Sequence, residues 1–238
     1  MKSQRIERGF EAIGQLGRWG SRYLLDSFLQ KGCATCDRAT AQPFCLDCRR
    51  QLTAQIGSDR PSTAISQLSV KALGTYDGIL KQAILALKYE NRPDAAQLLG
   101  SELAQTWMQS ASLAKAKQIY AVPIPLHADR QRARGYNQSA LLARSFCQVS
   151  GVRLIENGLV RSQITAPQHQ LGREARQQNL ASAFSIGQSL SRLSKKAAAI
   201  EVLIVDDIYT TGTTVQSAVK TLAEHGISTV GIAVVARA

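Results

Sequence analysis

The stretch Glu201-Val202-Leu203-Ile204-Val205-Asp206-Asp207-Ile208-Tyr209-Thr210-Thr211-Gly212-Thr213-Thr214 constrains this chain more than any other. An unbroken apolar run from Val202 to Val205 reads as a strand covered on both faces, as in a parallel sheet. It ends in two carboxylates, and a short Thr/Gly loop then opens a helix. Backbone N–H groups at a helix N-terminus point outward, and the macrodipole favours an anion there. Gly212 lets the backbone approach a ligand closely, and the threonines add hydroxyl donors. Asp206 and Asp207 stand just before that cradle, where they can accept from vicinal hydroxyls or orient hydrated Mg²⁺. A sugar phosphate suits both halves. The plainer alternative is a strand end with a capped helix behind it. A nucleoside-triphosphatase reading fails because G-x-x-x-x-G-K-[ST] occurs nowhere, and G-x-G-x-x-G is also absent.

The rest of the chain supports an α/β organisation. Further strands are expected at Ile119 to Ile124 and Thr229 to Val235. Helices are expected at Gln138 to Val149 and Thr214 to His225, the latter closed by Gly226. Ahead of these lie two amphipathic helices. One uses Ile79, Leu80, Ala83, Ile84 and Leu87; the other opens at Pro93 and uses Ala96, Leu99, Leu103 and Trp107. Residues 57–63 read as a linker, and 163–178 as a long polar loop of the kind that usually serves function.

Four cysteines come before that region as two C-x2-C knuckles, Cys33/Cys36 and Cys45/Cys48, eight residues apart. Such a set delivers four thiolates to a tetrahedral, structural Zn²⁺ with no open position. A redox pair and an iron–sulfur cluster are the competing readings; two paired knuckles forming a closed set favour zinc. Cys147, in the helix after Asn137, is expected to be a buried core residue.

Charge speaks about partners. The formal net charge of the 238 residues is +12, and the segment from Lys115 to Lys196 contributes +10 of it. Phosphorylated ligands, nucleic acid and anionic membrane are all compatible with that excess. No run approaches the ~18–20 apolar residues that span a bilayer, and no signal-peptide core is present, so a cytoplasmic protein is expected. Residues 1–30 combine an apolar stripe (Ile6, Phe10, Ile13, Leu16, Trp19) with flanking cations, but Gly9, Gly14, Gly17 and Gly20 weaken a helix. That segment suits either packing on its own domain or peripheral contact with a membrane.

The motif at 201–214 resembles the ribose-5-phosphate-binding signature of type I phosphoribosyltransferases. Val122-Pro123-Ile124-Pro125-Leu126-His127, Arg130 and Arg134-Gly135-Tyr136-Asn137-Gln138 resemble the "VPVPLH…R…RGFNQ" signature of the ComF family. Arg161, Thr165, Gln168, Arg176, Asn179 and Phe184 fit its downstream spacing; Tyr76, Gly78 and Lys88-Tyr89 fit upstream, and the cysteine module fits the N-terminus. The likeness covers roughly residues 24–238.

The resemblance implies a type I phosphoribosyltransferase fold, a parallel twisted sheet flanked by helices, with a small zinc module before it. The corresponding division is an extension at 1–30, the cysteine module at 31–52 and a phosphoribosyltransferase-like domain at 62–238, with a helical part at 76–114 and an α/β core at 118–238. It implies 5-phosphoribosyl 1-diphosphate with Mg²⁺ as ligand. Asp206 and Asp207 would then meet the ribose hydroxyls, Thr210, Thr211, Gly212, Thr213 and Thr214 the 5-phosphate, and Arg130 and Arg134 the diphosphate. The loop at 163–178 would cover the site. His127 and His169 are the candidates for a general base. Members of that family are associated with natural DNA uptake, so single-stranded DNA and competence proteins are expected partners, and a dimer is one possible state. Two functions stay open: transfer to an unidentified acceptor, or a non-catalytic accessory factor using the fold as ligand sensor or scaffold.

Overall fold

Five parallel strands, in the order Val70–Thr75, Ser228–Arg237, Glu201–Tyr209, Ile119–Pro123 and Arg153–Leu154, form the sheet that organises the molecule. The computed structural model describes residues 32–58, 68–109, 119–161, 183–196 and 200–238. The N-terminal extension, most of the polar passage after Gly57, and the loop 163–178 with His169 lie outside the described residues. So do Thr165, Gln168, Arg176 and Asn179.

In chain order the elements are α1 (Leu46–Gln55), β1 (Val70–Thr75), α2 (Gly78–Tyr89), α3 (Ala95–Met108), β2 (Ile119–Pro123), α4 (Ala128–Arg134), α5 (Gln138–Ser150) and β3 (Arg153–Leu154). They continue with the antiparallel pair β4 (Leu159–Arg161) and β5 (Phe184–Ile186), then α6 (Gln188–Ser194), β6 (Glu201–Tyr209), α7 (Thr213–Glu224) and β7 (Ser228–Arg237). Among the described residues, no helix is long and apolar enough to cross a membrane.

Alternate residues of the central strands feed two cores, as a two-residue pleat requires. Leu203, Val205, Ala233 and Val235 face α2, α3 and α5, whereas Val202, Ile204, Ile232 and Val234 face α7 and the β4–β5 pair. Helix α3 presses closely on α5 at Gly100, where an added Cβ would lie 2.5 Å from the Leu142 carbonyl oxygen. Burying a large side chain such as Trp107, 1% exposed beside α3's other apolar residues, contributes about 2–3 kcal/mol.

The cysteine module is tied into the first of these cores. Cys33, Phe44, Cys45, Cys48 and Leu52 cluster with Leu80, Ile84 and Leu99. Arg92, in the turn between α2 and α3, donates to the Gly32 and Pro43 carbonyls and grips Asp94 with both arms of its fork. Gln55, at the end of α1, donates to the Asp77 carbonyl and accepts from Leu80 N–H, supplying a cap that α2 lacks on its own.

Two elements differ from expectation in a way that matters for the site. β6 does not stop at Val205: its pairing with β7 runs on through Asp206↔Val234 to Tyr209↔Arg237. On its other edge, pairing with β2 stops at Pro123↔Val205, followed only by Ile124 N–H to the Val205 carbonyl. The carboxylates therefore lie inside a strand whose β2 side has opened. The segment after Ile124, which the resemblance to type I phosphoribosyltransferases makes a diphosphate loop, winds into α4, because Ala128 to Arg134 are mostly good helix formers. His127 caps it by accepting from Asp129 N–H at 3.3 Å, and Gly135 ends it at φ 82.

Candidate functional site

Strand β2 leads through α5 to its outer neighbour β3, while β6 leads through α7 to β7 on the opposite side. Because α5 and α7 cover opposite faces, the strand order reverses between β2 and β6. A crevice opens at such a reversal beyond the C-terminal strand ends, and it is where open α/β sheets take ligands. Both of the segments singled out in the sequence, the one after Ile124 and the one after Tyr209, leave the sheet there.

Asp206 and Asp207 are 8% and 4% exposed. Asp206 Oδ1 accepts from Ser139 Oγ at 2.8 Å and from Asp207 N–H at 2.9 Å. Ser139 is in place because Asn137, capping α5, accepts from Ser139 N–H and donates to the Ile124 carbonyl, each at 3.0 Å. Asp207 Oδ1 pairs with Lys88 Nζ at 2.8 Å, and its Oδ2 is buried without a hydrogen-bond partner.

Burial, and then the charge of Asp207, raise Asp206 from 3.8 to about 7, against the pull of Ser139, the Asp207 N–H and Lys88. A carboxyl raised in the folded state holds its proton there after the unfolded chain has lost it. Stability should therefore fall as pH rises from about 4 to 7 and level off above, since the native state binds the extra proton. Asp206→Asn removes that titration. Urea unfolding at several pH values should show a flatter slope in the variant, and an unchanged slope would mean that Asp206 is not the group concerned.

The threonine loop follows at once. Thr210, Thr211 and Thr214 are exposed, Thr213 is half-buried, and Thr211 and Thr213 hydroxyls meet at 2.8 Å. Gly212 stands at the N-cap of α7 with φ 75, and no side chain caps that helix end. A Cβ there would lie 2.3 Å from Tyr209 Oη, so both conformation and space require glycine.

Arg130 and Arg134 line an open cleft of about 780 Å³ with Lys88, Tyr89, Asn91 and Arg132. Arg134 sits over the Tyr89 ring, 5.5 Å from its centre, and donates to Gln138. Arg161, at the end of β4, is near enough to feel both Arg130 and Asp206: burial and Arg130 lower its pKa while Asp206 opposes them. Sequence reasoning gave no role to Lys88, Ser139 or Arg161. Lys88-Tyr89 and Arg161 do stand in the family pattern, but only the fold shows what they face. His127 spends a ring nitrogen on capping α4 and lies 3.3 Å from Asp129 Oδ2.

In the module packed against α2 and α3, the sulfur atoms of Cys33, Cys36, Cys45 and Cys48 all lie within 4.8 Å of one another, and none is in a disulfide. Four thiolates around zinc at about 2.3 Å would be about 3.8 Å apart, and Cys36 and Cys45 sulfurs are 3.7 Å apart. The donor set fits. Burial pushes Cys48 up to about 12, whereas hydrogen bonds from Thr35 and Cys45 overcome burial and bring Cys33 down to about 6. Four such groups cannot ionise together without a cation to share their charge. Cys147, by contrast, is half-buried away from the cluster, with burial holding its thiol at about 12.

Comparison with known proteins agrees with this architecture. Residues 142–238 match the family model of the phosphoribosyl transferase domain. The chain is 29% identical to DNA utilization protein YhgH of Salmonella typhi over 213 residues, covering 84% of this chain and 87% of the relative. It is 33% identical to competence protein F of Haemophilus influenzae over 117 residues, 49% of each chain. It is 22% identical to competence protein ComFC of Bacillus subtilis over 196 residues, 82% of this chain and 72% of the relative. The chain thus carries a phosphoribosyl transferase domain behind a four-cysteine cluster, and along most of its length it is similar to DNA utilization and competence proteins.

Proposed function

We propose that the protein binds 5-phosphoribosyl 1-diphosphate with Mg²⁺ and transfers its phosphoribosyl group, in the handling of DNA taken up by the cell. One observation carries the reading. At the reversal of the sheet, an acid pair runs into an uncapped helix N-terminus with a threonine loop, and Lys88, paired with Asp207, also lines a cleft with Arg130 and Arg134. Asp206 and Asp207 accept the ribose hydroxyls, Thr210 to Thr214 take the 5-phosphate, and Arg130 and Arg134 take the diphosphate. The Tyr89 ring and a hydrogen bond to Gln138 hold the Arg134 side chain beside the cleft, which supports this role. An arginine fork offers paired donors and a permanent charge to a phosphate group.

The donor set also suits Mg²⁺: hard carboxylate oxygens, one of them buried and unpartnered. Bound with the ligand, Mg²⁺ would share the charge of the departing diphosphate. The chain's own contribution is to hold the ribose by two hydroxyls while Arg130 and Arg134 face the leaving group. The cysteine cluster takes one structural Zn²⁺ that fixes the module against α2 and α3.

A non-catalytic role, as ligand sensor or as a scaffold for single-stranded DNA or a protein, has one observation in its favour. His127 is engaged as a helix cap, so the one described histidine near the cleft is not positioned as a general base. Calorimetric titration of 5-phosphoribosyl 1-diphosphate with Mg²⁺, followed by a diphosphate-release assay across acceptors, separates the two. Binding with release supports transfer; binding without release supports the sensor; no binding overturns both of these and leaves the scaffold.

A further inference from the structure

We propose that Lys88 is a specificity-determining residue: an internal cation that keeps free divalent metal off Asp207 and yields its place only to metal arriving with a polyanion. The proposal rests on the reading of Asp206 and Asp207 as a ligand-facing pair. The ammonium lies 2.8 Å from Asp207 Oδ1, with only 17% of the lysine side chain and 6% of the aspartate exposed. The second oxygen of Asp207 has no partner. Leaving a buried carboxylate oxygen unpaired is costly, which accords with a position held ready for a ligand.

Lysine suits this task where arginine would not. It is a point charge on a four-carbon stem, so it covers one oxygen and swings away about a few bonds. A guanidinium would fork across both oxygens and stay. Lys88 also lines the cleft with Arg130, Arg132 and Arg134, so it has anion-binding company on its other side. Arg132 there is engaged with Asp129 and Arg134 with Gln138. An incoming diphosphate would draw the Lys88 ammonium off Asp207 at the moment when a metal ion bound to that same diphosphate comes within reach. With the ammonium on Oδ1, a bare cation at Oδ2 meets a like charge across one carboxylate, whereas metal and polyanion enter together.

The probe is Mn²⁺ alone, followed by the loss of the free-ion paramagnetic resonance signal in the full chain. Wild type should bind Mn²⁺ weakly until inorganic diphosphate is added, and then more tightly than diphosphate in solution accounts for. Lys88→Met should bind Mn²⁺ without any anion about ten- to a hundredfold more tightly than wild type, since a full charge has left contact distance. Adding Asp207→Asn to that variant should return the affinity to the wild-type level, and Lys88→Arg should stay weak. If Lys88→Met is poorly folded without metal, Mn²⁺ should raise its melting temperature while leaving the wild type's unchanged. Equal Mn²⁺ affinity in wild type and Lys88→Met overturns the proposal, as does tight Mn²⁺ binding by wild type without an anion. Neither result depends on the phosphoribosyl ligand, so a chain that passes this test yet ignores 5-phosphoribosyl 1-diphosphate refutes the ligand reading alone.

Discussion

Replacing both acids, Asp206→Asn with Asp207→Asn, is expected to abolish measurable binding of 5-phosphoribosyl 1-diphosphate while the chain remains folded. Each carboxylate would accept a hydroxyl or orient a hydrated cation, and hydrogen bonds to charged groups contribute about 1.5–3 kcal/mol each. Losing two weakens binding by more than about a hundredfold. The fold should tolerate the change for two reasons. Asparagine keeps an acceptor for Ser139 Oγ and the Asp207 N–H, both now bonded to Asp206 Oδ1. The Lys88 side chain keeps 17% of its surface exposed, so its ammonium can reach water along its stem. Calorimetry and circular dichroism on the same preparation check both halves. Undiminished affinity in a folded double variant would remove the ligand site from this crevice.

Withdrawing metal is expected to have the largest effect on stability. Protein purified without added metal should carry one Zn²⁺ per chain, on the cysteines whose sulfurs lie within 4.8 Å of each other. Structural zinc supplies about 10–16 kcal/mol of apparent binding energy in small domains. Only part of that will appear here, because Cys33, Cys45 and Cys48 also sit in a core with Leu52, Leu80 and Leu99. That shared core is also why the damage should spread. Chelation or Cys33→Ala should lower the melting temperature of the whole unit by roughly 10 °C, the equivalent of a few kcal/mol in a chain of this size. Cys147→Ser, away from the cluster, should keep full zinc content. Elemental analysis decides: iron in place of zinc, or no metal in a chain of unchanged stability, refutes the assignment.

Local patterns carried much of the architecture. The apolar spacing of α2 and α3, the strands at 119, 202 and 229, and the paired knuckles are all periodic or closed patterns, and the structure contains each of them. β1 was not legible. Val70-Lys71-Ala72-Leu73-Gly74-Thr75 has no strong alternation, and it becomes a strand because β7 offers it a parallel edge. The extent of β6 was hidden for the same reason. Two carboxylates read as the end of an apolar run, yet ladder bonds with β7 carry the strand past them. Strand pairing is a property of a partner distant in the chain, and one segment's composition does not contain it.

The same division holds for the site. The sequence by itself carried the phosphate reading of the loop at 206–214, because the residues that this reading uses are consecutive; the positive φ of Gly212 and its closeness to Tyr209 came only with the fold. The sequence also determined the cysteine cluster, because four thiols in two short knuckles have few other uses. Only the tertiary structure decided that Lys88 from α2 and Ser139 from α5 contact the acid pair, with Arg161 from β4 near enough to feel the Asp206 charge. Those three residues lie 119, 67 and 45 positions from Asp207, Asp206 and Asp206 respectively. What brings them together is the reversal of strand order between β2 and β6, where apolar burial on both faces of the sheet fixes the helices and leaves their polar ends at one crevice.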